Sequence, residues 1–264
     1  MAASQPEHGE DKPIVGVLLV HGFNGSSRDF TELEQLLKAR GMVVVNMLLP
    51  GHGVPVLEML GLGWNEWEQA VRTELRLLKR ECDVVFLVGH SLGGALSLHV
   101  AAHEEVAGVV SMCAPLRMYP WMKAAVGFVK YITPLLPTLR EDINDPEARR
   151  RYIQEKRESP GYGWTPMRPI ETLLHFLPHL REELPRITAP ALIMTSIHDH
   201  VVPARDGREI YRRIGSREKH LVTFHRSFHV IMKDHDREEV CAKTLAFIQR
   251  HASKAKPRGT EDVS

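Results

Sequence analysis

Residues 84–94 read VVFLVGHSLGG. Val84 to Val88 are apolar and mostly β-branched, the composition of a strand buried on both faces. The strand pattern then breaks, because Gly89 and Gly93 flank Ser91 at the spacing G-x-S-x-G. On a tight strand-to-helix turn, side chains two positions either side of the serine would collide, so both positions call for glycine. At the carboxyl edge of a parallel sheet such a turn lifts the hydroxyl out of the sheet and aims it into the crevice where these folds bind ligands. A helix starting near Leu92 presents its first amides and positive dipole end to that crevice, so the Leu92 N–H is placed to donate to a developing oxyanion.

Working outward, short apolar runs alternate with longer amphipathic ones, as parallel strands joined by crossover helices require. Six strands are expected, at Ile14 to Val20, Val43 to Leu48, Val84 to Val88, Val106 to Met112, Ala191 to Ser196 and His220 to Phe224. Helices are expected in SSRDFTELEQLLKARG, with Gly41 as its stop, in WNEWEQAVRTELRLLKREC, and over Leu92 to His103, Ala204 to Ile214 and Arg237 to His251. The alternation stops between Pro115 and Pro190, an interval with charged and proline-punctuated helical stretches and no convincing strand, and this predicts an inserted helical lid. The expected organisation is a flexible tail over 1–12, a core formed by 13–115 and 188–252, a helical cap over 116–187, and a second flexible tail over 253–264.

The chain has 264 residues and 43% apolar content, enough for one large core. Lys plus Arg number 34 against 33 Asp plus Glu, so no basic face suited to nucleic acid is implied. Three scattered cysteines, without C-x-x-C spacing, argue against a disulfide framework or zinc knuckle and for a reducing, cytoplasmic setting. MAASQPEHGEDK lacks the features of an export signal, and no apolar run approaches the roughly 18 residues of a membrane span. Integral membrane association is therefore not expected.

A serine hydroxyl needs a base, and the base needs a carboxylate to fix its tautomer. In this type of fold these follow in the order Ser, acid, His, each beyond a later strand. ALIMTSI is followed by HDHVVP, which puts Asp199 where the acid belongs, and HLVTFH leads into RSFHVIMKDHDREEV, which puts His229 on a loop ahead of the last helix. Asp199 is preferred over Asp206, in a helix start, and over Asp234, beyond the histidine. His229 is preferred over His225, at a strand end, and over His235, at a helix start. A second oxyanion donor is offered by HGFNG after the first strand, where a bend at His21 and Gly22 would aim the Phe23 N–H at the oxygen that Leu92 serves. Trp121, Phe128, Leu135 and Leu136 of the lid are expected around an acyl chain, although each would serve equally as core packing.

Blander readings cover the rest. His99 and His103 fall one helical turn apart, but Val100 stands where H-E-x-x-H needs glutamate, so they read as packed or solvated helix residues. No metal and no cofactor are expected. His198 and His200 flank Asp199 on an extended segment and point different ways. His90 adjoins Ser91 too closely to reach its hydroxyl, and His52 reads as a turn residue. Trp64 and Trp67 read as helix-start anchors, while the REEL run and Arg149 to Arg151 read as solvated helix faces.

With LLVHGFNGSSRDF, GHGVP, GHSLGG, SMCAPL, HDHVVP and SFHVIMKDHDREEV in this order, the chain resembles the α/β-hydrolase superfamily, and within it the small bacterial carboxylesterases and monoacylglycerol lipases. The resemblance implies a mostly parallel, six- to seven-stranded sheet flanked by helices, with a small cap inserted after the fourth core strand and lining the acyl pocket. It also implies Ser91, Asp199 and His229 as the triad, with Phe23 and Leu92 as oxyanion donors. One departure is that many relatives carry G-L-S-x-G or G-x-S-M-G where this chain has His90 and Leu92; a backbone amide serves the hole regardless. The expected activity is hydrolysis of short- to medium-chain acyl esters, extending to monoacylglycerols, by a monomer or weak homodimer with a small ester as its partner. Thioester or carbon–carbon hydrolysis, or ligand reception without catalysis, are the rivals on the same scaffold.

Overall fold

The computed structural model describes residues 12–117, 126, 133–138 and 141–254. Six strands, β1 (Val15–Val20), β2 (Val43–Met47), β3 (Val84–His90), β4 (Gly108–Met112), β7 (Ala191–Ser196) and β8 (Lys219–Phe224), form one sheet in the order β2-β1-β3-β4-β7-β8. All five pairings are parallel, with Val20 opposite both Met47 and Gly89, and Met112 opposite both His90 and Met194. The chain moves from β1 to β2 on one side and then returns to place β3 on the other. The carboxyl ends of β1 and β3 thus flank a topological switch point, where an open α/β sheet leaves a crevice.

Both sheet faces are covered, so the strands read as apolar runs and not as alternations. Leu18, Val20, Val85 and Leu87 point to one layer, and Val17, Leu19, Phe86 and Val88 to the other. On the first face lie α2 (Trp64–Glu81) and α3 (Leu92–Ala101); on the second lie α1 (Thr31–Lys38) and the C-terminal helix described below. All ten residues of α3 are buried, which explains why it shows no amphipathic stripe and is found in the sequence through the turn preceding it. Trp67 is fully buried, and its Nε1–H donates to the Pro50 carbonyl at 2.9 Å.

An inserted subdomain lies between β4 and β7. Its helices are α4 (Pro146–Arg157), capped by Asp145, whose carboxylate accepts from the Glu147 and Ala148 amides, and α5 (Met167–Glu183). The expectation of no strand there is corrected, because β5 (Leu135–Pro137) and β6 (Trp164–Pro166) pair antiparallel. Each is three residues long and contains proline, too short for a period-two pattern to register. The other boundaries shift by small amounts: β4 begins at Gly108 instead of Val106, and α3 ends at Ala101 instead of His103. The remaining helices are α6 (Ala204–Arg213) and α7 (Arg237–Ala252). The expected tail is held at its start, where Lys254 pairs with Glu218 at 2.8 Å. Among the described residues no helix is long and apolar enough to cross a membrane. This is the α/β-hydrolase architecture with an inserted helical subdomain.

Candidate active site

Ser91 has φ +52° and ψ −118°, a left-handed conformation that a side-chain-bearing residue adopts only when its surroundings impose it. The surroundings here are explicit. Its N–H donates to the Met112 carbonyl at the end of β4 (2.8 Å), and its carbonyl accepts from Ala95 in α3 (3.0 Å). A Cβ on Gly89 would strike the Gly93 carbonyl, and one on Gly93 would strike the Val20 carbonyl of β1. The two glycines therefore let β1, β3 and α3 converge beneath the serine.

The loop after β1 lies against this turn: a Cβ on Gly22 would sit 3.2 Å from that of Ser91. Phe23 and Leu92, the two expected amide donors, thus belong to the segments that border Ser91. Histidines hold the loop. The Leu49 N–H donates to His21 Nε2 (3.0 Å), so Nδ1 carries the proton and donates to the Gly22 carbonyl (2.8 Å). The Asn24 N–H likewise donates to His52 Nε2 (3.2 Å). His90 Nε2 donates to the carbonyl of His229 (3.0 Å), tying the turn to the histidine loop.

His21 and His52 accept through Nε2 and so must be neutral, and burial, the largest cause in each case, lowers His21 to about 4 and His52 and His90 to about 3. Unfolded, they titrate near 6.5. Below that pH the unfolded chain takes up protons that the folded chain refuses, so stability falls with pH from 6.5 down to about 4 on account of His21 and to about 3 on account of His52 and His90. His229 is displaced upward, so its contribution is complete below 6.5 and offsets nothing in this window. Each buried ring contributes up to about 1.4 kcal/mol per pH unit. Urea unfolding of the wild type is expected to show a midpoint that drops steeply over this range, and His52→Gln a shallower dependence.

Asp199 lies in the turn after β7. Its Oδ1 accepts from the amides of Val201 (2.8 Å) and Val202 (2.7 Å), which leaves Oδ2 to His229 Nδ1 at 2.7 Å. Burial alone would raise Asp199, but the charge and hydrogen bond of His229, with the two amides, bring it below the ordinary carboxylate range. Burial would lower His229, and the Asp199 charge and hydrogen bond, supported by Asp142 and Glu141, raise it instead. The rival acids have other work. Asp206 accepts from the Leu116 and Arg117 amides, and Asp234 from those of Asn144, Asp145 and Phe228.

Two residues of this site went unread in the sequence. Asp142, from the inserted subdomain, accepts from the His200 and His229 amides, both at 3.1 Å, and clamps the acid turn to the histidine loop. Cys113, at φ +49° after β4, has its thiol within 4.8 Å of the Asp199 and His229 side-chain donors. Burial pushes this thiol well above its ordinary value, and the Asp199 charge adds to the effect. Neither carries a local signal: Asp142 finds its partners only through the tertiary fold, and a lone buried cysteine reads as core.

A cavity of about 250 Å³ adjoins the β1 loop, lined among others by Asn24, Leu48, His52, Glu141, Lys156 and Trp164. Of the residues expected around an acyl chain, Trp121 and Phe128 lie outside the described residues. Leu135 and Leu136 are half-buried in β5 and are not among the residues lining this cavity.

Residues 11–236 match the family model described as Hydrolase_4, serine aminopeptidase, S33. The chain is 30% identical over 253 residues to a thermostable monoacylglycerol lipase of Bacillus sp. (strain H-257), covering 96% of this chain and 97% of the relative. It is 28% identical over 235 residues to a carboxylesterase of Bacillus subtilis (strain 168), covering 89% and 92%. A solved structure from work on LipS and LipT, two metagenome-derived lipolytic enzymes, superimposes with a TM-score of 0.82 at 34% identity, covering 92% and 96% of the two chains.

Proposed function

We propose, from the premise that the chain belongs to the Hydrolase_4 (serine aminopeptidase, S33) family of α/β-hydrolases, that it is a serine carboxylesterase cleaving short- to medium-chain acyl esters, monoacylglycerols among them. The observation that carries this reading is the buried 2.7 Å Asp199–His229 pair at the sheet edge where the strained Ser91 turn stands. With Nδ1 committed to Asp199, His229 offers Nε2 as the base. It takes the Ser91 proton as the oxygen attacks the ester carbonyl, and the Phe23 and Leu92 amides receive the oxyanion. The imidazolium then protonates the departing alcohol, and water activated by the same ring releases the acid. The relatives named as a monoacylglycerol lipase and a carboxylesterase support an ester substrate. The cavity beside the β1 loop sets Asn24, Glu141 and Lys156 in a mostly apolar lining, which suits an alcohol portion that carries both hydrocarbon and hydroxyl groups.

A series of p-nitrophenyl esters from acetate to palmitate, with a monoacylglycerol and an acyl thioester alongside, tests the substrate class. Greatest kcat/KM is expected between butyrate and decanoate, with release of fatty acid from the monoacylglycerol. Faster turnover of the thioester than of the matching ester, or no ester turnover at all, would sink the reading. The pH profile gives an independent readout. Catalysis needs neutral His229, whose pKa is raised above 6.5, while His21, His52 and His90 stay neutral well below that. A single acid limb is therefore expected, with kcat/KM falling as pH drops through a midpoint above 6.5.

A further inference from the structure

Far along α3 from Ser91, the fold assembles a second group of donors. His99 Nδ1 lies 2.6 Å from one carboxylate oxygen of Glu183, and His103 Nε2 lies 3.1 Å from the other. The two rings are one helical turn apart with centroids at 4.9 Å, and Glu183 is the last residue of α5. From these contacts we propose that His99, His103 and Glu183 form a binding site for a divalent transition ion of the zinc type, joining the end of the inserted subdomain to the core helix.

The chemistry of the donors fits. Two imidazoles and a carboxylate are the set that borderline ions prefer, and a tetrahedral ion with bonds of about 2.0–2.1 Å holds its donors roughly 3.4 Å apart. The three donor atoms lie within 4.8 Å of one another, so small side-chain rotations bring them onto one ion, with water completing the shell. Coordination through His99 Nδ1 requires that ring to carry its proton on Nε2. Glu68 stands there, its Oε1 3.8 Å away and itself paired with Arg72, in the place of the carboxylate that commonly orients a metal-binding imidazole from behind. His99 is further fixed by edge contacts to Trp64 (5.8 Å) and Phe176 (5.3 Å), whereas His103 is accessible. The pair is pre-organised on the core side, and the open side admits the ion.

The test uses the full chain, stripped with chelator and titrated with Zn²⁺ by calorimetry and with Co²⁺ by visible absorption. One equivalent is expected to bind, with the Co²⁺ spectrum of a four-coordinate centre. His103→Ala removes a ligand outright and is expected to weaken binding at least about 100-fold, beyond the cost of losing an outer partner. Zn²⁺ at a hundred times its dissociation constant is expected to raise the wild-type Tm by roughly 5–10 °C and that of His103→Ala hardly at all. His175→Ala, at the exposed His175–Glu171 pair on α5, should bind as the wild type does. Undiminished binding by His103→Ala, no binding by the wild type, or loss of binding in His229→Ala instead would overturn the proposal. The last outcome would place the ion on the Cys113, Asp199 and His229 cluster.

Discussion

Ser91→Ala is expected to lower kcat for p-nitrophenyl butyrate by about 10⁴–10⁶-fold and to abolish labelling by a fluorophosphonate probe, with KM little changed. The size follows from the proposed role: removing a nucleophile whose base and acid act with it as a unit costs nearly as much as removing all three. The fold should survive, because Ser91 is placed by backbone bonds to Met112 and Ala95 that alanine keeps. Ser91→Gly is expected to be equally inactive and more stable than the alanine variant, since glycine occupies φ +52° without the cost of order 1–3 kcal/mol borne by other residues. Cys113→Ala is the decisive companion. The Cys113 thiol is a rival nucleophile close to His229, but it is held protonated by burial and by Asp199. This variant should still be labelled and should keep activity within about tenfold of the wild type, well short of the loss of a nucleophile. Labelling that survives in Ser91→Ala and disappears in Cys113→Ala would transfer the nucleophile to sulfur.

The sheet and the serine turn were legible because their causes are local. Gly89 and Gly93 lie within two residues of Ser91, and the collisions they avoid are with their own turn and the first strand. The strands declare themselves by apolar, largely β-branched runs, since burial on both faces leaves room for only a few polar residues such as Ser111 and Ser196. Contacts chosen by the tertiary fold are where the reading stops. The REEL segment reads as a solvated face, yet its Glu183 turns in against His99 and His103, which the chain brings close only by returning α5 onto α3. Asp142 gives no sign that it will receive both the His200 and His229 amides. The positive φ of Cys113 is likewise imposed by its setting, since cysteine has no preference for that conformation.

Asp199→Asn tests the relay, and the structure dictates how the asparagine must sit. Oδ1 of Asp199 accepts from two backbone amides, Val201 and Val202, so an amide NH₂ placed there would face two donors. The asparagine oxygen therefore takes that position, and its NH₂ group faces His229 Nδ1, which donated a hydrogen bond to Asp199 and must now accept one. The imidazole proton is driven to Nε2, the atom proposed to act as base, so the ring loses its basic lone pair toward Ser91 and, with the carboxylate gone, the neighbouring charge that stabilises its protonated form. A fall in kcat/KM of roughly 10⁴-fold is expected, with global structure and substrate affinity retained. The ¹⁵N shifts of His229 should report the exchanged tautomer, with Nε2 protonated in the variant and Nδ1 in the wild type. The pKa of His229 should also drop, because the carboxylate charge that outweighs its burial is gone. An Asp199→Asn enzyme with near wild-type turnover, or with an unchanged His229 tautomer, would show that the 2.7 Å contact is structural and that the ring is oriented by something else.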